Sequence, residues 1–178
     1  MPPNWITLAR MALTPFIGLA LARSDYGQAF PLIFVAGVSD AVDGWLARRF
    51  GWGSAFGERL DPIADKLMVA VAYLGLGAGG GLPVWLVVLV LGRDLAILLT
   101  AGALMALSRA RRFPPSGWGK VSTIGQMTLG GVAVLAGAAP EWGFRGTVAP
   151  LTWVVAGLTV VSWFDYGRRG WWMWRNRE

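Results

Sequence analysis

A chain of 178 residues, 55% of them hydrophobic, with mean hydropathy +0.52 and a formal net charge of +6, is too apolar for a soluble domain and long enough for only one compact bundle. It contains neither cysteine nor histidine, which excludes a disulfide framework, a thiolate nucleophile, a zinc–thiolate site and an imidazole base. The positive charge does not mark a nucleic-acid binder, because the basic residues flank hydrophobic stretches, as loops facing an anionic membrane do.

A bilayer span takes about 20 apolar residues per helix, and glycine and proline clusters divide the chain into six such segments. No succession of alternating ten-residue segments argues for a barrel. The predicted fold is therefore an all-α integral membrane protein of six transmembrane helices, with residues 1–178 forming a single domain.

The first predicted span covers about Trp5 to Ala22, and Asn4, Thr7, Arg10 and Thr14 recur along it at steps of three or four, on one helix face. Those polar residues, and the want of a basic leader, predict that the segment is kept and not cleaved as a signal peptide. The turn Arg23-Ser24-Asp25-Tyr26-Gly27 follows. The second span, about Ala29 to Arg49, carries Asp40 and Asp43 in its last turns, before the basic turn Arg48-Arg49-Phe50-Gly51. The third begins near Gly57, bears Asp61 and Asp65, and ends in the glycine run at 77–81. The fourth runs from about Pro83 to Leu107 with Arg93 and Asp94 inside it, the fifth from about Trp118 to Ala138, and the sixth from about Thr147 to Tyr166. The strip Trp171-Trp172-Met173-Trp174-Arg175 suits the interfacial zone and reads as a membrane anchor.

With six spans, Arg48, Arg49, Arg59, Arg109, Arg111, Arg112, Lys120 and the arginines of the C-terminal tail fall on one side, and the other side's loops hold only Arg23 and Arg145. The positive-inside rule makes the rich side cytoplasmic, together with both termini and the acidic cluster. Absence of a transit segment predicts a bacterial cytoplasmic membrane, with a trimmed mitochondrial protein as the alternative.

Lipid makes unpaired carboxylates expensive, so four aspartates near the ends of two spans are presumed functional. Asp40 and Asp43 at i and i+3, and Asp61 and Asp65 at i and i+4, each share a helix face. If the second and third spans are antiparallel neighbours, four carboxylates converge, and their repulsion in a low-dielectric cavity is relieved by one or two hard divalent cations such as Mg²⁺ or Mn²⁺. Two such ions are a recurring device for holding phosphate oxygens. Gly44, Ala47 and Gly57 keep the neighbouring surface clear of side chains, and Arg48 supplies a planar fork for phosphate. A carboxylate cluster in a membrane bundle also fits a divalent-cation transporter, although such a path gives Gly44, Ala47 and Arg48 no task.

The full spacing, Asp40-x2-Asp43-Gly44-x2-Ala47-Arg48-x8-Gly57-x3-Asp61-x3-Asp65, resembles the signature of the CDP-alcohol phosphatidyltransferase family, with every defining position occupied. That resemblance implies a six-helix membrane fold, usually a homodimer, with its active site at the cytoplasmic helix ends, in which an alcohol displaces CMP from a CDP-linked lipid. It implies that Asp40, Asp43, Asp61 and Asp65 bind two Mg²⁺ or Mn²⁺ ions, that Asp65 is also the general base, and that Gly44, Ala47, Arg48 and Gly57 line the CDP pocket.

The opening Pro3-Asn4-Trp5-Ile6-Thr7-Leu8-Ala9-Arg10 is similar to that shared by the cardiolipin synthase and phosphatidylglycerophosphate synthase branches of the family. Arg93-Asp94, Pro115-Ser116-x2-Gly119-Lys120-x2-Thr123-x2-Gln126 and Tyr166-Gly167-Arg168-Arg169 resemble the former more closely. Ser122 departs from both, and a neutral residue there suits a singly charged phosphodiester better than a dianionic glycerol phosphate. The expected substrates are thus CDP-diacylglycerol and phosphatidylglycerol, with glycerol 3-phosphate as the alternative acceptor. Arg93 and Lys120 are the expected contacts to the acceptor phosphate, against the alternative that Arg93 stabilises helix packing, and Asn4, Thr7 and Arg10 are candidates for touching nucleotide or acceptor.

Overall fold

The computed structural model describes residues 3–50, 57–107 and 116–175. Six long helices make up most of them: α1 (Pro3–Ala22), α2 (Tyr26–Phe50), α3 (Gly57–Ala78), α4 (Val84–Leu107), α5 (Gly117–Ala138) and α6 (Arg145–Arg175). A short 3-10 turn at Pro140–Trp142 precedes α6, and no strand occurs among the described residues. Each predicted span thus coincides with a helix. Among the described residues two stretches, Gly117–Ala138 and Arg145–Arg169, are long and apolar enough to cross a membrane by length and composition, and Leu8–Ala22 is a shorter apolar helix.

The largest departure from the predicted boundaries is in α6, which runs on to Arg175 instead of stopping near Tyr166. Gly167 does not break it, because Arg168 and Arg169 both reach back to Asp165, at 3.7 and 3.1 Å, from one helical turn further on. The aromatic and basic strip therefore continues the last helix.

The chain divides into two compact units, Met1–Pro83 with Gly130–Arg145, and Val84–Leu129 with Gly146–Glu178. In the first unit α1 packs against both α2 and α3. Ile17 and Leu21 of α1, Ala29 and Ala36 of α2, and Tyr73 and Leu76 of α3 are buried there. The turn between α1 and α2 holds Ser24 in the left-handed region, at φ 57°, with its hydroxyl donating to Gly79 O at 2.8 Å. Asp25 Oδ1 accepts from Gln28 N at 3.1 Å and so caps the start of α2.

Helices α1 and α3 run parallel, since Arg10 meets Asp65, Gly18 meets Val71 and Gly75, and Leu21 meets Gly79 in the same order along both. Glycine makes this approach possible. A Cβ at Gly75 would lie 2.7 Å from Gly18 O and 2.8 Å from Leu21 Cβ, so the two backbones nearly touch, as small residues allow between membrane helices. Gly75→Leu is accordingly expected to force α1 and α3 apart and cost about 1–3 kcal/mol or more. The readout is a lowered melting temperature in detergent, with Gly37→Ala, where nothing lies within 4 Å, as the unaffected control.

In the second unit Leu86 and Val90 of α4, Leu129 of α5 and Val155 of α6 are buried. Trp85 and Trp153 lie with ring centroids 5.2 Å apart, and Gly125 of α5 packs against Leu158 and Val155 of α6.

Candidate active site

Arg10 is the centre of the first unit's polar constellation. Its guanidinium is buried, with the side chain 3% exposed, and its two terminal nitrogens go to carboxylates on different helices. Nη1 donates to Asp65 Oδ1 at 2.5 Å, and Nη2 donates to Asp40 Oδ1. Asp40 and Asp65 are themselves 45% and 42% exposed, so solvent reaches the acids while the cation lies beneath them. Arg10 Nε is buried and has no hydrogen-bond partner among the described residues.

Local sequence sets up this placement. Pro15 inside α1 has no N–H to give the preceding turn, and beside it the hydroxyl of buried Thr14 donates to Arg10 O at 2.8 Å. Asp40 belongs to the last turns of α2, and Asp65 to the third turn of α3. Convergence of the acids was expected if α2 and α3 were neighbours; among the described residues α1 packs on both, and its guanidinium links Asp40 to Asp65. The difference is physical, since helical spacing fixes which residues share a face and says nothing of which helix lies opposite.

Asp43, Gly44, Ala47 and Arg48 follow Asp40 on α2, and Gly57 and Asp61 precede Asp65 on α3. Their side chains, with those of Asn4 and Thr7, lie outside the described residues. Among the described residues no three acidic side chains form a metal-binding group. Asp40 and Asp65 nevertheless fit a hard divalent ion: both are oxygen donors, both are reachable from solvent, and a cation already stands against the two of them.

The second unit holds the residues expected to meet the acceptor. Arg93 is also 3% exposed, and its contacts are with the protein. Nε and Nη2 donate to Ser162 Oγ at 3.1 and 2.7 Å, Nη2 also approaches Gly119 O at 3.4 Å, and Nη1 pairs with Asp94 at 2.6 Å. The Tyr166 ring lies 5.5 Å from the guanidinium carbon. Arg93 thus ties α4 to α5 and α6. Lys120, by contrast, is exposed, and the Arg93 contacts do not include it.

The same seam continues along α5. Ser116 Oγ accepts from Gly119 N at 2.9 Å, which caps the helix, and Ser116 N donates to the Tyr166 hydroxyl at 3.1 Å. Ser122 is fully buried, with its hydroxyl 3.4 Å from both Thr159 Oγ1 and Gln126 Nε2. Its neutrality is accounted for by this packing, so the charge argument that used it to choose between acceptors loses its basis. Ser162 and Thr159 escaped the sequence argument, although a signal was present: Thr152, Thr159, Ser162 and Tyr166 stand at steps of seven, three and four on an otherwise apolar helix, and all are buried.

Comparison with known proteins finds relatives along most of the chain. The family model for CDP-alcohol phosphatidyltransferases matches residues 1–162. The chain is 33% identical, over 93% of its length, to the chloroplastic CDP-diacylglycerol–glycerol-3-phosphate 3-phosphatidyltransferase 1 of Oryza sativa subsp. japonica, of which it covers 55%. It is 30% identical over 90% of its length to a probable CMP-forming cardiolipin synthase of Drosophila melanogaster, covering 54%. A CDP-diacylglycerol–glycerol-3-phosphate 3-phosphatidyltransferase of Bacillus subtilis (strain 168) is 32% identical over 95% of the chain, and 94% of that relative is covered. The chain therefore spans about half the length of the rice and fly relatives and nearly all of the bacterial one.

Proposed function

Because the chain belongs to the CDP-alcohol phosphatidyltransferase family, we propose that it transfers the phosphatidyl group of CDP-diacylglycerol to a hydroxyl of phosphatidylglycerol, giving cardiolipin and CMP. The observation that carries this reading is the meeting of Asp40 and Asp65, from the two halves of the acidic motif, on one guanidinium. It works as six membrane-spanning helices in a bacterial cytoplasmic membrane, as a homodimer, with termini and acidic cluster on the cytoplasmic face. Membership in an enzyme family removes the ground for a cation transporter.

Asp40, Asp43, Asp61 and Asp65 would hold two Mg²⁺ or Mn²⁺ ions, which supply positive charge to orient the pyrophosphate and stabilise the departing phosphate. Gly44, Ala47 and Gly57 leave room for the nucleotide, and Arg48 offers its fork to phosphate oxygens. The acceptor oxygen forms a bond to the phosphorus that bears diacylglycerol, the bond from that phosphorus to the bridging oxygen of CMP breaks, and the hydroxyl proton passes to Asp65. In a chain without histidine, a carboxylate is the natural base at that place.

Phosphatidylglycerol is supported by the likeness of Arg93-Asp94 and Tyr166-Gly167-Arg168-Arg169 to the cardiolipin synthase branch and by the fly relative, whereas the contacts of buried Arg93 are internal and do not choose the acceptor. Glycerol 3-phosphate is the second reading, favoured by the names of the rice and Bacillus relatives. Purified protein supplied with CDP-diacylglycerol and one acceptor at a time separates them. CMP release is expected with phosphatidylglycerol, and release with glycerol 3-phosphate alone would overturn the assignment in favour of phosphatidylglycerophosphate synthesis.

A further inference from the structure

We propose that Arg10 is the built-in counter-cation of the acidic cluster: it bridges Asp40 and Asp65 while no divalent ion is bound there and yields to that ion when it arrives. This rests on the reading of the four aspartates as a metal site. Three observations lead to it. The guanidinium engages one oxygen of each carboxylate, from α2 and from α3, and so neutralises charge that would otherwise repel across the cluster. The carboxylates are nearly half exposed above a buried Arg10, which leaves an incoming ion open access to the acids. Arg10 Nε has no partner among the described residues, so within them the guanidinium is held by its two carboxylate contacts.

The consequence has a sign. A guanidinium and a hard dication compete for the same negative charge, so removing the guanidinium should tighten ion binding. A residue that merely holds the acids in place for the ion would behave in the opposite way, because without it the acids separate and binding weakens. Methionine keeps much of the length and apolar packing of arginine without its charge. Lysine keeps the charge but replaces the two-pronged fork with a point, which serves two carboxylates less well.

The test measures Mn²⁺ binding by electron paramagnetic resonance in detergent, on the full chain, without CDP-lipid. Arg10→Met is expected to bind Mn²⁺ about tenfold tighter than wild type, to melt lower without the ion, and to gain more melting temperature from it. Arg10→Lys should shift binding in the same direction by less, and it carries the comparison if Arg10→Met does not fold. Asp61→Asn should lose binding and so places the ion at the cluster. Mn²⁺ affinity equal to or weaker than wild type in the Arg10 variants overturns the counter-cation role and leaves the metal site standing. Failure of wild type and all variants to bind Mn²⁺ overturns the metal-site reading, and this role with it.

Discussion

Asp65→Asn is expected to lower kcat for CMP release by about a thousandfold, the scale of losing a positioned general base, while binding of CDP-diacylglycerol falls far less. Asparagine has nearly the shape of aspartate, and its amide oxygen can still accept the hydrogen bond from Arg10 Nη1, so the local geometry should survive. What disappears is the charge and the capacity to take a proton. Asp65 is well placed to lose both visibly, being 42% exposed and open to an arriving hydroxyl. Single-turnover CMP release set beside equilibrium binding of the CDP-lipid separates the two functions. Equal losses in turnover and binding would mean that Asp65 acts as a ligand alone and that the proton goes elsewhere.

The other large effect belongs to Arg93. Its guanidinium connects Asp94, Ser162, Gly119 O and the face of Tyr166 in a buried seam. Arg93→Met leaves the mostly buried Asp94 carboxylate without this counter-charge and Ser162 without its two donors, a loss on the order of 3–5 kcal/mol for a broken buried pair. A large fall in melting temperature is expected with no acceptor present, and Arg93→Lys should recover little of it, because one ammonium cannot reproduce the fork. An unchanged melting temperature with a raised KM for phosphatidylglycerol would return Arg93 to the acceptor role anticipated from the sequence.

These two residues show where sequence reasoning reaches and where it stops. The helices were legible because apolar length and glycine or proline punctuation are local properties. Asp40 and Asp65 stood out because the motif's spacing is specific, and Arg10 was visible as one member of a polar face on the first span. Its partners were not visible, since nothing in the spacing of α2 and α3 tells that α1 packs on both. Arg93 was conspicuous as a mid-helix charge, but the choice between substrate contact and packing pin depended on Ser162 and Tyr166, which are about seventy residues away in the chain. The end of α6 was missed for a different reason: a span is bounded by apolar length, whereas the helix runs on past it into the aromatic and basic strip, with Arg168 and Arg169 paired to Asp165.

The glycine contacts between α1 and α3 bear on catalysis from a distance. Gly18 and Leu21 rest against Val71, Gly75 and Gly79 with the two backbones in close approach, so the longitudinal register of the two helices is fixed at this seam as well as at the acids. Arg10 is eight residues before Gly18 and Asp65 is ten before Gly75, which places the guanidinium and the carboxylate about 12 and 15 Å from that fixed point. The seam works as a gauge block for the charge geometry. A bulky residue that shifted α1 by even part of a 5.4 Å helical turn would draw Arg10 away from Asp65 while touching neither. Variants at the far end of these helices can therefore alter the active site through alignment alone.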